Sequence, residues 1–160
     1  MGLKNQKVKF KNTKLNQKLL KHLIKNGNKK TCEKTLLKSL KSVQKESKKN
    51  HIELIKWALL NSMTTLKIKT LRNKKTKKKT EKKIPVILIK KDKRISYTIK
   101  LIISEIKNKK GSYPIYLKIK QEILDSSKNS SNSINNKIEI QKQALSYKRY
   151  LSNYKWKKHV

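Results

Sequence analysis

Apolar residues near the start of the chain recur at the spacing of an α-helix. Leu19, Leu20, Leu23 and Ile24 fall on one face, and Gly27 stands where a helix commonly ends. The residues before them, 1–14, alternate lysine with polar residues and have no regular apolar face. The pattern therefore predicts a basic arm followed by a first helix that ends near Gly27.

A second helix is predicted to begin near Thr31, because an apolar face of Leu36, Leu37, Leu40 and Val43 follows at helical spacing. The two helices are joined by a tight, basic turn.

The third helix is predicted to start at Asn50, which is followed by Glu53 in the manner of a capping box. Its apolar face consists of Ile52, Ile55, Leu59 and Met63. Trp57 widens that face and is expected in the core or at its edge.

From Thr64 the period changes from helical to alternating. Leu66 and Ile68 point one way while Lys67 and Lys69 point the other, which is typical of a strand. A second alternating run predicts the returning strand, and it consists of Ile95, Tyr97, Ile99 and Leu101. Between them, 73–94 is predicted to be an inserted basic loop, whose like-charge run at 73–83 has nothing to bury and is expected to be disordered without a polyanion.

The C-terminal part predicts two more helices. Ser112 can cap a helix that carries Pro114 in its first turn and continues to about residue 126. A Ser/Asn-rich loop is expected over 127–136, and a final helix over 137–154. The apolar face of that helix consists of Ala144, Tyr147, Leu151 and Tyr154.

Together these elements predict a mainly α protein, a helical bundle with a protruding two-stranded β-ribbon and basic terminal extensions. We expect one domain over 1–160: a basic arm at 1–14, helices at 15–63, the ribbon with its inserted loop at 64–103, and C-terminal helices at 112–156.

Net charge limits the possible classes of function more than any sequence motif does. The chain has 45 Lys+Arg against 9 Asp+Glu, a formal net charge of +36 over 160 residues. A field of this size suits a polyanion, and a nucleic acid backbone releases counterions when lysines neutralise it. Two other classes remain open: a non-specific nucleic-acid condensing protein or RNA chaperone, and a cationic membrane-surface protein. The last helix is too polar for a convincing membrane anchor, so no membrane partner is expected.

Candidate chemistry for catalysis or metal binding is sparse. Cys32 is the one cysteine, and it is expected to fill a small buried position. The three histidines are scattered, and three glycines in total leave no phosphate-binding loop. Glu122 and Asp125 are close on one helix and are expected to be solvated. We therefore expect no enzyme, no cofactor and no metal site.

Three segments resemble one family in the family's order. They are LKHLIKNGNKKTCE at 20–33, ALLNSMTTLKIKTLR at 58–72 with YTIKLII at 97–103, and LSYKRYLSNYKW at 145–156. They are similar to the helix–turn–helix, the ribbon strands and the aromatic C-terminal helix of the universal small-subunit ribosomal protein seven family, in its organelle-encoded branch.

The chain also departs from that family. The Gly-Gly tip of the family's ribbon is absent, with 73–94 in its place, and the helix that normally follows the ribbon is reduced to 104–110. Lysine stands where relatives carry arginine, which keeps phosphate attraction but loses bidentate geometry.

The resemblance implies a structural, non-catalytic protein that binds small-subunit rRNA early, organises the head domain and contacts neighbouring head ribosomal proteins. It further implies that the ribbon projects toward the path of mRNA and exit-site tRNA. The A/T-rich codons of its favoured residues and a start without a signal or transit peptide favour an organelle-encoded protein. The mitochondrial ribosome is favoured over that of the plastid because plastid members of the family usually keep the Gly-Gly tip and the helix after the ribbon.

Candidate rRNA-binding residues are cations with a few aromatics beside them. They are Lys9, Lys11, Lys29, Lys30, Lys67, Lys69, Arg72, Lys74, Lys75, Lys77, Lys78, Lys100, Lys137, Lys148, Arg149, Tyr154, Lys155 and Trp156. Helix-start N–H groups beside Lys29 and Lys30 suit phosphates, and Tyr154 and Trp156 among lysines suit unpaired bases. Simpler interpretations stay open, because the turn could be a solvated loop and Tyr154 could pack in the core.

Overall fold

The computed structural model describes residues 14–24, 26–47, 49–72, 81–109 and 111–147. These residues form helices and a two-stranded antiparallel ribbon, which confirms the predicted mainly α fold class. Their order is α1 (Lys14–Leu23), α2 (Lys29–Ser47), α3 (His51–Ser62), β1 (Leu66–Arg72), β2 (Glu81–Ile87), α4 (Lys91–Asn108), α5 (Ile115–Ser127) and α6 (Asn132–Ser146).

The hydrophobic core lies where α1 to α5 meet. Each of these helices contributes buried aliphatic side chains to one cluster, among them Leu20, Leu40, Ile55, Ile99 and Ile119. The core contains no aromatic ring among the described residues, so it depends on close packing of leucine and isoleucine. The ribbon lies outside this cluster and packs by β1 against α6.

The three N-terminal helices agree with the apolar pattern. The thiol of Cys32 donates to the Leu23 carbonyl at 3.6 Å and packs, half-buried, against the core, so it fills space as predicted. Asn50 caps α3 as expected, because its Oδ1 accepts from the Ile52 N–H at 3.2 Å. α2 begins at Lys29, two residues before the predicted start, which places both turn lysines in its first turn.

The ribbon's second strand is β2, and the prediction of a returning strand at 95–101 was wrong. β2 pairs with β1 in a register that runs from Leu66 opposite Ile87 to Arg72 opposite Glu81. It therefore lies inside the segment predicted as an inserted loop, and 81–83 belongs to a strand. Lysines and Pro85 argue against a strand in sequence, but a two-stranded ribbon leaves one edge of each strand unpaired and tolerates proline.

Residues 95–101 belong to α4, so the expectation that the helix after the ribbon is nearly missing was also wrong. The side chains of Thr98, Ile99, Ile102, Ile103 and Ile106 are buried. This spacing marks one face of a helix. Ile95 and Ile99 suit either an alternating strand or one face of a helix, and only the buried residues beyond 101 decide for the helix.

Both C-terminal helices were predicted, but their starts were placed wrongly. α5 begins at Ile115 with Pro114 as its N-cap residue, so Ser112 does not cap it and Pro114 precedes its first turn. α6 begins at Asn132 inside the predicted 127–136 loop, and the helix ends at Ser146. A buried cluster of hydroxyls explains the early start: Ser126 donates to Ser131 at 3.0 Å, and Ser133 lies 3.2 Å from Ser62. These serines join α3, α5 and α6. The predicted continuation over 148–154 lies outside the described residues.

Two side chains differ from expectation in burial. Trp57 is 59% exposed rather than part of the core. Glu122, expected on the solvated surface, is fully buried, and its Oε2 lies 2.9 Å from the Lys109 ammonium. Glu122 shares the inward face of α5 with Ile119 and Ile123. A buried carboxylate is tolerated there because it is paired.

Leu40→Ala should destabilise the protein by about 2–5 kcal/mol, because Leu40 is 1% exposed and truncation leaves a cavity. Leu60→Ala is the matched control and should change stability by only about 0.5 kcal/mol or less, because Leu60 is 58% exposed. Urea unfolding of both variants measures the difference. Equal losses would contradict the assigned core.

Candidate RNA-binding surface

The turn between α1 and α2 is built by left-handed backbone. Asn26 has φ 53° and Gly27 has φ 74°, both in the region that glycine and asparagine adopt most readily. The Lys29 N–H donates to the Gly27 carbonyl at 2.8 Å, which closes the turn. The chain therefore reverses within a few residues and begins α2 immediately.

This geometry exposes two ammonium groups at the start of a helix. Lys29 and Lys30 are exposed, and the first turn of α2 contains no acidic residue. The Lys29 ammonium lies 3.8 Å from the Glu33 carboxylate, a pair that remains open to solvent. The positive end of the helix dipole points the same way as the lysines. The backbone N–H groups and the ammonium groups can both donate hydrogen bonds to a phosphate bound there.

Lys100 lies beside α1 rather than on the ribbon. It is exposed on α4, which packs against α1, and its charge acts on His22. The pKa of His22 is lowered, first by burial and second by the positive charge of Lys100. An ion pair between Lys18 and Asp92 also joins α1 to α4. The structure thus brings Lys100 to the α1 side of the bundle.

The ribbon presents Lys67 and Lys69 on one face. Both are exposed, and by register they stand opposite Val86 and Ile84. The Lys67 ammonium lies 5.6 Å from the centroid of the Tyr97 ring on α4, within the range of a cation–π contact. Burial raises the pKa of the Tyr97 hydroxyl. By the register of the strands, Arg72 stands opposite Glu81 at the end of the described ribbon.

Lys137 has a contact within the protein itself. Its ammonium donates to the Asn61 carbonyl at 2.7 Å, at the end of α3. Asn61 also donates from its side-chain amide to the Ser126 carbonyl at 3.0 Å. Lys137 therefore helps to join α6 to α3, and its predicted RNA contact stays a prediction.

Several predicted site residues lie outside the described part of the chain. They are Lys9, Lys11, Lys74, Lys75, Lys77, Lys78, Lys148, Arg149, Tyr154, Lys155 and Trp156.

One set of basic residues was not predicted as part of the site. Beyond Lys30, α2 carries four more exposed lysines on its outward face, Lys34, Lys38, Lys41 and Lys45. Their spacing along the helix is visible in sequence.

Among the described residues there is no group of three or more His, Cys, Asp or Glu that could hold a metal ion. Within the same ranges, no helix is long and apolar enough to cross a membrane.

Comparison with known proteins assigns a family and relatives. The family described as "Ribosomal protein S7p/S5e" matches residues 3–148. The chain is 28% identical over 145 residues to "Small ribosomal subunit protein uS7c" of Euglena gracilis, covering 91% of this chain and 88% of that protein. It is 27% identical over 139 residues to "Small ribosomal subunit protein uS7m" of Reclinomonas americana, covering 87% and 83%.

Because burial and Lys100 both hold the pKa of His22 below 6.5, the unfolded chain takes up a proton first as pH falls. As pH falls, protonation of His22 therefore lowers the stability of the folded protein. The loss begins near pH 6.5 and is complete below the pKa of His22 in the folded protein. Lys100→Gln should raise the His22 pKa, although burial, the larger cause, should keep it below 6.5. NMR titration of the His22 ring at low salt measures this.

Lys107→Gln is the control for that titration, because it removes an exposed cation two turns further along α4. It should leave the His22 pKa nearly unchanged. An equal rise in both variants would mean that the general field, and not Lys100, acts on His22.

Proposed function

Because this chain belongs to the ribosomal protein S7p/S5e family, we propose that it binds small-subunit rRNA as a primary binder and organises the head domain around the α1–α2 turn. Members of this family are structural, non-enzymatic components of the small ribosomal subunit and bind rRNA. The chain is therefore a structural ribosomal protein, and the finer role is our proposal.

The observation that carries the proposal is the exposed pair Lys29 and Lys30 at a helix start. Backbone N–H groups, a helix dipole and two ammonium groups converge there on one small surface. The left-handed turn at Asn26 and Gly27 holds this surface on the rigid core of α1 and α2. Contacts of this kind fix the position of a protein on RNA.

We assign the protein to an organelle ribosome, and specifically to that of the mitochondrion. The two similar relatives are a chloroplast and a mitochondrial protein, which supports an organelle ribosome. The mitochondrial assignment rests on the absence of the family's Gly-Gly ribbon tip from the sequence, because α4 removes its other ground, a missing helix after the ribbon.

The ribbon is proposed to extend toward mRNA and exit-site tRNA. Support comes from its position outside the hydrophobic core and from Lys67 and Lys69, which it exposes on one face. The segment 73–80, which joins the two strands, carries five further lysines. A basic ribbon of this kind suits the backbone of a strand or a duplex.

The face of α3 is proposed to meet a neighbouring protein of the head. Trp57 and Leu60 are exposed there, and α3 carries one lysine and one glutamate, so it is neutral in a chain of +36. Exposed tryptophan with little charge is typical of protein contacts rather than phosphate contacts.

The second candidate function is a condensing protein or RNA chaperone without specificity, which the net charge alone would favour. The two candidates differ in salt dependence, because electrostatic attraction weakens with salt while specific contacts persist.

Lys29→Glu with Lys30→Glu should weaken binding to the head domain of small-subunit rRNA by at least about tenfold, equivalent to 1.4 kcal/mol. Binding is measured at low and near-physiological salt against an unrelated structured RNA of equal length. The matched control is Lys56→Glu with Lys142→Glu, which changes net charge equally at exposed sites on α3 and α6.

The control pair should weaken binding less than the turn pair, and the wild type should retain its preference for the head domain at the higher salt. The contrary result is that the wild type binds both RNAs equally and that both affinities fall together as salt rises. The protein would then act only as a polycation, which favours the condensing protein.

Replacing 73–80 by a two-residue Asn-Gly turn should leave the fold intact. Arg72 and Glu81 stand opposite each other in the strand register, so a tight turn can join them. The shortened protein should still assemble into small subunits and lose crosslinks to exit-site tRNA. Retained crosslinks would contradict the proposed role of the ribbon, whereas failure to fold would contradict the assigned register.

A further inference from the structure

The outward face of α2 carries a single row of lysines. The outward lysine row consists of Lys30, Lys34, Lys38, Lys41 and Lys45, all of them exposed. Steps of four and three residues keep them within an arc of about 80° around the helix axis, over a length of about 22 Å. The row begins at the α1–α2 turn and follows α2 nearly to its end.

The opposite face of α2 fixes the direction of the row. Leu36, Leu40 and Val43 are fully buried in the core, about half a helix turn away from the lysines. Rotation of α2 about its axis would therefore expose core residues. Packing of the buried face therefore keeps the lysine row on the solvent side of α2.

The acids of α2 lie off the row and have partners of their own. Glu33 faces Lys29, and Glu46 pairs with Lys120 on α5. Among the described residues, no carboxylate lies within ion-pair distance of Lys34, Lys41 or Lys45. The Lys38 ammonium lies 4.1 Å from the centroid of the Tyr116 ring. The positive charge of these lysines is therefore not neutralised by carboxylates of the described residues.

This arrangement works against the stability of the isolated helix. Like charges three or four residues apart on a helix repel each other, and the five lysines of the row form four such pairs in succession. A counter-charge supplied from outside would remove that repulsion. The row is therefore a surface that gains from a bound polyanion.

We propose that the outward lysine row binds the phosphate backbone of one strand of an rRNA helix, as a second contact that continues from the turn. The inference rests on the proposed function for the identity of the RNA. Successive lysines rise about 4.5–6 Å along the helix, and duplex phosphates are spaced more closely than this, at about 3.4 Å of axis per strand. Each ammonium can therefore reach a phosphate.

The composition of the row selects RNA over an acidic protein. Cores of protein interfaces are depleted in lysine and enriched in aromatic side chains, and the row offers neither an aromatic nor an arginine. Lysine acts as a point charge without bidentate base recognition. Contact by the row is thus independent of sequence, and specificity comes from elsewhere on the protein.

The test is a triple variant of the full-length protein, Lys34→Gln, Lys41→Gln and Lys45→Gln. The variant retains Lys30, which belongs to the turn, and Lys38, which lies over the Tyr116 ring. Glutamine has nearly the helix propensity of lysine, so the helix itself should be little affected. The control is Lys56→Gln, Lys93→Gln and Lys142→Gln, three exposed lysines on α3, α4 and α6 with the same change of charge. Affinity for a head-domain fragment of small-subunit rRNA is measured over a range of salt.

The row variant should lower the slope of log affinity against log salt by about 2 to 3, since each lost phosphate contact removes about 0.7–0.9. The control should lower it by less than about 1. The melting temperature of the free row variant should stay the same or rise, because repulsion falls. Its preference for the head domain over an unrelated RNA should remain.

Equal changes of slope in both variants would overturn the proposal, because the general field would then explain binding. A lower melting temperature in the row variant would also overturn it, since the lysines would then act within the fold. The proposed function fails separately, if the wild type does not distinguish the head domain from an unrelated RNA.

Discussion

Repulsion between like charges is the constraint on which this structure depends. With 45 basic and 9 acidic residues, few carboxylates are present to offset it, and several of them join separate elements. Glu122 on α5 lies 2.9 Å from the ammonium of Lys109 after α4, Asp92 on α4 pairs with Lys18 on α1, and Glu46 on α2 pairs with Lys120 on α5. These three pairs each link two elements of a bundle that the leucine and isoleucine core holds together. Most of the described lysines are exposed.

The outward cations are not spread evenly over the helices. α2 carries six lysines against two glutamates, whereas α3 carries one of each and exposes Trp57. The ribbon adds Lys67 and Lys69 on one face. We propose that the basic helix faces RNA and that the neutral, apolar one faces a neighbouring protein.

Periodicity in the sequence was sufficient for the helical half of the fold and failed at the ribbon. The helices α1 to α3 were predicted because long apolar rows and the Asn50 cap agree with one another. The second strand was predicted at the wrong place because Ile95 and Ile99 suit a strand as well as a helix. The true strand, β2, was not recognised because its lysines and Pro85 are unusual in a strand. Burial of Glu122 was missed although Ile119 and Ile123 share its face. The turn lysines were found from local signals, whereas Lys100 was placed wrongly because its element was wrong.

The central claim is that the α1–α2 turn and α2 face rRNA in the assembled subunit. Crosslinking of intact small subunits, with mass spectrometry of the peptide–RNA adducts, tests it most directly. The account predicts adducts concentrated in peptides from 26–47 and 66–72, and few at Lys56 or Lys142. Adducts distributed in proportion to lysine content, or concentrated on α3, would contradict it.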